Sequence, residues 1–522
     1  MVMPLFSVIT PVYNPPHDAF EACVDSVRAQ STSDWEWCLC DDGSTDTWVA
    51  RRLAELQIED VRIKVVQRPA NGGIVVASND AISIATGEFL VLLDNDDMLH
   101  VDALALVAAA VTTSPFTDYV YSDEDKITSD GTHFDEFQKP IWSPERLLAQ
   151  NYTSHLSVLR RSLVNDVGRF RTGFDGSQDY DLVLRVIERA RHIVHIPHVL
   201  YHWRSLPTST ASSASAKPYA FLAALEAVKS HLQRRELSAD VTTAGSSLAR
   251  VRRRPTRHPH VSVIVPIDGS TRRVYGVEAS LASNLLTSLL DKTTYNNFEV
   301  VLVAPTNLTD DSLHKLAAQC DRPLRIVRET SAFALGRYLN VGLIASRSQH
   351  AVLLDQHCEF IKGDWLETLL GYIGHERVAA VAPVLLDEFG LIVSAGLGFT
   401  PEPHDIGAGH HATELGPVGM FAIARECLGV STRCALVDVD ALKAVGGFSP
   451  EFSTRMFDFD LAAKLHGSSL HAIITPLVNV RCFTDVDEMA DERSVLAQRW
   501  GHLSGRDPYT RVDTRAPLPA PV

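Results

Sequence analysis

Four acidic clusters in the first half of the chain each follow an apolar run, and their spacing suggests chemistry on a charged ligand. Asp94, Asn95, Asp96 and Asp97 follow Phe89-Leu90-Val91-Leu92-Leu93. Three carboxylates within four residues at a buried strand's end repel one another unless a cation is present. A hard divalent ion with oxygen ligands, Mg²⁺ or Mn²⁺, bridging protein and diphosphate removes the conflict. The plainer alternative is that one of them caps a helix beginning near Val101. Asp41 and Asp42 follow Cys38-Leu39-Cys40 and precede Gly43-Ser44-Thr45-Asp46. A turn and a helix N-cap account for Gly43, Ser44 and Asp46. They do not account for two adjacent carboxylates, whereas a nucleoside does, because a carboxylate accepts the imide N–H of uracil or thymine.

Asp123, Glu124 and Asp125 follow Tyr119-Val120-Tyr121, and a solvated turn explains them as well as a substrate contact does. Gln178-Asp179-Tyr180-Asp181 opens an amphipathic helix carrying Leu182, Leu184 and Ile187. Aspartate is favoured in a first helical turn; the functional reading is a general base at a helix N-terminus. His202, in Tyr201-His202-Trp203-Arg204, is either structural or a further metal ligand.

The elements that would carry these residues alternate strand and helix, with Phe20, Val24 and Val27 on one helical face. Such alternation implies a mostly parallel sheet flanked by helices, which binds ligands at the carboxyl ends of its strands. The pattern occurs twice. The segments 6–14, 34–46, 89–99 and 168–186 are echoed in order by 261–269, 297–310, 351–361 and 446–465. This predicts two tandem α/β domains: 1–240, a linker over 241–260, and 261–505, with a C-terminal tail over 506–522 whose end, PLPAPV, reads as frayed. The first closes with a Ser/Thr-rich stretch (205–218) and a helix to Leu237 that sets Phe221, Leu222, Leu225, Val228 and Leu232 on one face.

Composition narrows the field. With 48 Lys+Arg against 64 Asp+Glu, a net charge of −16 argues against general nucleic-acid binding. No apolar run approaches the roughly 20 residues of a membrane span, and the N-terminus lacks a signal peptide's basic region. The eight cysteines have no zinc-like spacing and read as buried free thiols of a cytoplasmic protein. Arg252 to Arg254 with Arg257 read as a solvated linker. A patch for phosphate or lipid headgroups at the membrane's inner face is the alternative.

Taken together, PVYN (11–14), DDGSTD (41–46), NGG (71–73), DNDD (94–97), SDEDK (122–126), QDYDL (178–182) and YHWR (201–204) resemble the family 2 glycosyltransferases of GT-A fold. The segment 137–162 is similar to the O-antigen and cell-surface polysaccharide subgroup, many of whose members are rhamnosyltransferase-like. The resemblance implies that Pro11, Tyr13 and Asn14 line the nucleobase, with Tyr13 stacking on it. It implies that Asp42 recognises the base, and that Arg68, Asn71 and Gly73 approach nucleotide and phosphates. Asp94 and Asn95 would lie against the nucleotide sugar, Asp96 and His202 on the metal, and Asp179 would be the base of an inverting displacement. Asp123, Glu124 and Gln178 would face the acceptor: a glycan, lipid-linked glycan or protein. Gln178 stands where the family commonly has Glu, and Ala77-Ser78-Asn79 stands where it often has Ala-Arg-Asn.

The second copy departs at each place. PVYN becomes Pro266-Ile267-Asp268-Gly269, the Asp pair becomes Ala304-Pro305, and DNDD becomes Asp355-Gln356-His357-Cys358. No His stands in 478–483, and only Asp458 and Asp460 survive from the base motif. The second copy therefore reads as degenerate and non-catalytic; Asp355, His357 and Glu359 as a rearranged metal site is a weaker alternative. Among other functions, a sugar-nucleotide nucleotidyltransferase wants a Gly-rich basic loop that PVYNPPHDAF lacks. A non-catalytic glycan-binding protein would not need Asp42, Asp94, Asp96, Asp179 and His202 intact. A dehydrogenase wants GxGxxG; GAGHHA (407–412) has no strand leading into it.

Overall fold

The computed structural model describes residues 3–205, 218–245, 248–375, 377–483 and 490–515. The Ser/Thr-rich stretch, apart from its ends, and PLPAPV lie outside the described residues. The chain forms two compact units, each a mixed α/β body. Unit one comprises Met1–Trp142, Gln150–Leu237 and Val241–Ala249; unit two comprises Ser143–Ala149, Ser238–Asp240 and Arg250–Val522.

Unit one is built on β1 (Phe6–Val12), β2 (Trp35–Asp41), β3 (Ile63–Gln67), β4 (Phe89–Leu92), β5 (Met98–Leu99), β6 (Thr117–Ile127), β7 (His133–Phe137), β8 (Ser157–Arg160) and β9 (His192–Arg204). They order as β3-β2-β1-β4-β8-β6-β9-β5, with β7 paired to β6. The β3-β2-β1-β4 half is parallel. Its central strands are buried on both faces, so β1 and β2 read as nearly continuous apolar runs rather than alternating ones. The helix α1 (His17–Arg28) covers one face with Phe20, Val24 and Val27, as its periodicity predicts. The helix α2 (Thr47–Glu59) starts where the Asp46 carboxylate accepts the Trp48 amide. Next come α3 (Ile74–Ser83), α4 (Ala103–Thr113), α5 (Pro144–Ala149, a part of unit two), α6 (Arg161–Asp166), α7 (Gln178–Ile187) and α8 (Pro218–Arg234). On α8, Leu225, Val228 and Leu232 are buried, but Leu222 is exposed, so the apolar face is narrower than its sequence suggests.

Unit two repeats this order. Its main sheet runs Leu324–Glu329, Phe298–Pro305, Val261–Pro266, His350–Leu354, Cys434–Asp438, Val378–Leu386, His471–Cys482 and Cys358–Phe360. The registers match too: Val8 lies opposite Val91, and Val263 opposite Val352. The four sequence echoes are thus two copies of one topology.

Two stretches outside the two main sheets hold defined contacts. Within 241–260, expected as a linker, the strands Ala239–Ala244 and Leu248–Arg253 occupy half of the stretch. Its arginines are not a free basic patch: Arg252 pairs with Asp364, Arg253 with Glu145 at 2.5 Å and Arg254 with Asp240 at 2.8 Å. The described part of the tail, 506–515, is tied down: buried Asp507 accepts amides from Phe399, Tyr509 and Thr510, and Thr514 meets His404 at 3.0 Å. All eight cysteines are free thiols, seven of them buried.

Candidate functional site

The loops after β1, β2 and β4 lie side by side because their strands are parallel neighbours. Asn14 adopts φ 44°, a left-handed conformation that Asn tolerates. Its Oδ1 accepts the amides of Thr45 and Asp46, both at 3.0 Å, which ties the first loop to the second. Tyr13, 45% exposed, stands at the rim beside it. The Asn95 side-chain amide donates to the Pro11 carbonyl at 2.9 Å, tying the third loop to the first. Gly43 has φ 69°, and a Cβ there would come within 2.7 Å of the Ala70 backbone. The turn after β2 therefore packs directly on the NGG loop.

Asp42 is buried, and its carboxylate is spent on that loop. Oδ1 accepts the Gly72 amide at 2.9 Å and Oδ2 the Gly73 amide at 2.8 Å. The Arg68 guanidinium lies 2.9 Å from Oδ1 and also pairs with Asp80. Asn71 is exposed, and its side-chain oxygen accepts the Gly73 amide at 3.2 Å. Asp42, Arg68, Asn71 and Gly73 thus form one assembly, in which Asp42 shapes the loop. Asp41 serves its own turn, accepting the Ser44 amide at 2.9 Å.

In the third loop Asp94 is exposed, Asp96 half-buried and Asp97 buried. Burial, then the neighbouring Asp94 charge, pushes Asp96 up to about 6. Asp97 is pushed well up by burial and by its two acidic neighbours. It is a structural acid: Tyr201 donates its hydroxyl to Oδ2 at 2.6 Å and the Arg204 amide donates to Oδ1 at 2.7 Å. The Arg204 Nε holds the Asp96 carbonyl at 2.7 Å. Sequence reasoning missed Tyr201 and Arg204, although both flank His202 in the motif it singled out.

His202 stands opposite Met98 in the β5–β9 pair, beside this loop. The carboxylate on its ring is Asp125, whose Oδ1 lies 2.6 Å from Nδ1. The other oxygen of Asp125 lies 2.8 Å from Nδ1 of His133. Burial holds the His202 pKa below the usual value, favouring the neutral ring a metal ligand needs. Asp94, Asp96 and His202 carry donor atoms of the kinds a divalent cation takes, but among the described residues the donors that lie within 4.8 Å of one another are those of Asp125, His133 and His202.

Asp179 lies in the first turn of α7, and the Asn151 side-chain amide donates to its Oδ2 at 3.1 Å. The preceding loop approaches the NGG loop, since a Cβ on Gly73 would stand 4.0 Å from Asp175 Oδ1. Asp181 is structural, buried against Arg185 and Arg171.

The residues expected on the acceptor side, Asp123, Glu124 and Gln178, are engaged within the fold. Asp123 is 1% exposed and accepts the Lys139 amide at 2.9 Å and His195 Nε2 at 2.7 Å. Glu124 is buried against Lys139 Nζ and the His155 ring. Both belong to β6, which lies between β8 and β9, so neither forms a solvated turn. Gln178 turns back to accept the Gly176 amide at 2.9 Å.

At the matching places of unit two, Asp355 pairs with His357 at 2.6 Å and with Arg455, which also holds Asp458 at 2.6 Å. Glu359 pairs with Arg481, not with a partner that would leave it open to a metal. Where unit one runs from Tyr13 into α1, unit two carries the strands Thr271–Val274 and Val277–Ser280 as a hairpin. Its turn, Tyr275-Gly276, has positive φ at both residues, a combination suited to tight hairpins. The Tyr275 hydroxyl reaches Glu359 at 2.5 Å.

The model of the glycosyl transferase family 2 matches residues 7–168 and 262–446, covering both copies and more than half the chain. An uncharacterised protein of Sinorhizobium fredii is 36% identical over 497 residues, 91% of this chain and 52% of that protein. The O-antigen biosynthesis protein RfbC of Myxococcus xanthus is 32% identical over 482 residues, covering 90% of this chain and 37% of that one. The chain therefore spans about half, or less, of the length of these relatives. A chondroitin synthase of Pasteurella multocida is 29% identical over 38% of this chain and 20% of its own length. Among solved structures, residues 1–349 of S. aureus TarS in complex with UDP-GlcNAc match with a TM-score of 0.36 and 22% identity, over 44% of this chain and 66% of that one. The two family segments, in order and over both copies, place this chain in glycosyl transferase family 2.

Proposed function

We propose that unit one transfers a sugar, with inversion, from a nucleotide-diphosphate donor to a hydroxyl of a glycan acceptor. The observation that carries this reading is the crowding of Asp94, Asp96 and Asp97 at the carboxyl end of β4, where Asp96 is held at about 6. A divalent cation relieves that crowding and, when bound, neutralises charge growing on the departing diphosphate. Asp94, Asp96 and His202 would hold it.

The chain's own residues supply the rest. Tyr13 offers an exposed ring to a base, while Asp42, Arg68, Asn71 and Gly73 shape the loop beside the nucleotide. Asn95 locks the metal loop to Pro11. Asp179 receives the proton of the attacking hydroxyl, and Asn151, on its Oδ2, orients the carboxylate. Unit two, with its acids internally paired and a hairpin over the matching position, serves as a non-catalytic partner. Its role is to bind or position acceptor. The similarity to an O-antigen biosynthesis protein favours a polysaccharide or lipid-linked glycan as acceptor. No described helix is long and apolar enough to cross a membrane.

The test is a donor screen with Mn²⁺ or Mg²⁺ and UDP-, dTDP- and GDP-sugars, read as released nucleotide diphosphate. Release from one donor class, lost with EDTA and in Asp96→Ala, supports the reading. Asp179→Asn should abolish turnover while nucleotide binding persists. Absence of release and of any metal-dependent nucleotide binding favours a glycan-binding protein instead.

A further inference from the structure

Asp125 lies in none of the loops that form the donor cleft, yet it makes the most specific contact to His202. It sits in β6, paired in register with His202 of the neighbouring parallel strand β9. Its two oxygens are divided between two rings, Oδ1 to His202 Nδ1 at 2.6 Å and Oδ2 to His133 Nδ1 at 2.8 Å. The two imidazoles pack edge to face with centroids 4.6 Å apart, and His133 belongs to β7, the hairpin partner of β6.

A carboxylate only accepts, so each ring must present N–H at Nδ1. For a neutral imidazole that fixes the tautomer and leaves the Nε2 lone pair as the coordinating atom. A carboxylate on the far nitrogen of a ligating histidine orients the ring and raises its basicity. We propose that Asp125 is a positioning residue that presents Nε2 of His202 to the metal, and that His133 is the brace that keeps Asp125 in place. This rests on the reading of His202 as a metal ligand. An alternative arrangement, in which Asp125, His133 and His202 themselves enclose an ion, is geometrically open because one ligand atom from each lies within 4.8 Å of the others. That arrangement demands the opposite tautomer only if His202 coordinates through Nδ1, so the number of Mn²⁺ sites is the second discriminator.

Two measurements on the full chain test the proposal. The first needs no metal. With ¹⁵N-labelled histidine, signals lost in His202→Gln identify His202, and the expected result is a proton on Nδ1. A proton on Nε2 overturns the inference whatever the enzyme's activity. The second is titration with Mn²⁺ alone, free ion being read by electron paramagnetic resonance. Asp125→Asn should weaken Mn²⁺ binding by about 10- to 100-fold. His133→Phe, which keeps a ring at the half-open hairpin, should weaken it less. Unchanged affinity in both variants overturns the proposal while His202→Ala still loses the metal. Equal weak affinity in wild type, Asp96→Ala and His202→Ala instead overturns the metal reading, and the proposal with it. If Asp125→Asn lowers thermal stability, His133→Phe and the tautomer decide. A second equivalent of Mn²⁺ lost with His133→Phe would replace the positioning role by an enclosed ion.

Discussion

Asp96 carries the most consequential charge in the chain. Its folded pKa is raised to about 6 by burial and by Asp94, so below that value the carboxyl is protonated and the proton competes with a cation. Mn²⁺ affinity should therefore fall as pH drops through about 6, and Asp94→Asn, by removing the neighbouring charge, should move that fall to lower pH. A titration of affinity against pH checks both. Gly43 makes a different prediction. Its φ of 69° and the 2.7 Å approach to Ala70 leave no room for a Cβ, so Gly43→Ala should cost about 1–3 kcal/mol in denaturant unfolding and loosen nucleotide binding. At this scale the sequence revealed the acids but not their division of labour. Three adjacent carboxylates signalled a cation. Nothing in DNDD marks Asp97 as the one consumed by Tyr201 and Arg204, because that depends on a strand more than 100 residues away. Asp123 and Glu124 look solvated as a polar run, yet a strand between two neighbours buries even charged residues when Lys139, His155 and His195 stand ready to pair with them.

The element that departs furthest from the sequence pattern is α5. It belongs to unit two, where Glu145 forms a buried pair with Arg253 at 2.5 Å. Losing one partner of such a pair typically costs about 3–5 kcal/mol, so Glu145→Ala should destabilise unit two by that order in urea unfolding. Beside it, Glu426 accepts the Glu145 amide at 2.9 Å and is pushed up to about 7 by burial and by the Glu145 charge. A raised carboxyl pKa means that the folded state holds a proton the unfolded chain has lost. Stability should therefore decline as pH rises from about 4.3 through about 7. Glu426→Gln, which mimics the protonated acid, should flatten that decline. Periodicity made α1 and the strand–helix alternation legible, because helical faces and apolar runs are local properties. The hairpin at 271–280 and the strands within 241–260 were not, since short polar strands carry neither a long apolar run nor a helical period.

For the whole molecule, the tandem repeat was readable from four ordered echoes, but its seams were not. Unit two takes residues 143–149 from the middle of unit one's sequence. A protein ended after Leu237 would leave the buried Leu147, Leu148 and Ala149 without their unit, and should be less soluble and less stable than the full chain by light scattering and thermal unfolding. A well-behaved, fully stable truncated protein would contradict that. Conversely, Asp355→Ala and Asp458→Ala should leave donor turnover intact if unit two is non-catalytic. The borrowed segment also sets a clock during synthesis. The Glu145 amide finds its acceptor 281 residues further along the chain. At about 5–20 residues per second, a ribosome needs roughly 15–55 s to deliver that acceptor. Throughout that interval α5 is an incompletely bonded insertion, and for much of it the unit-one sequence on either side has already been made, so it is the segment that a chaperone has both time and reason to hold.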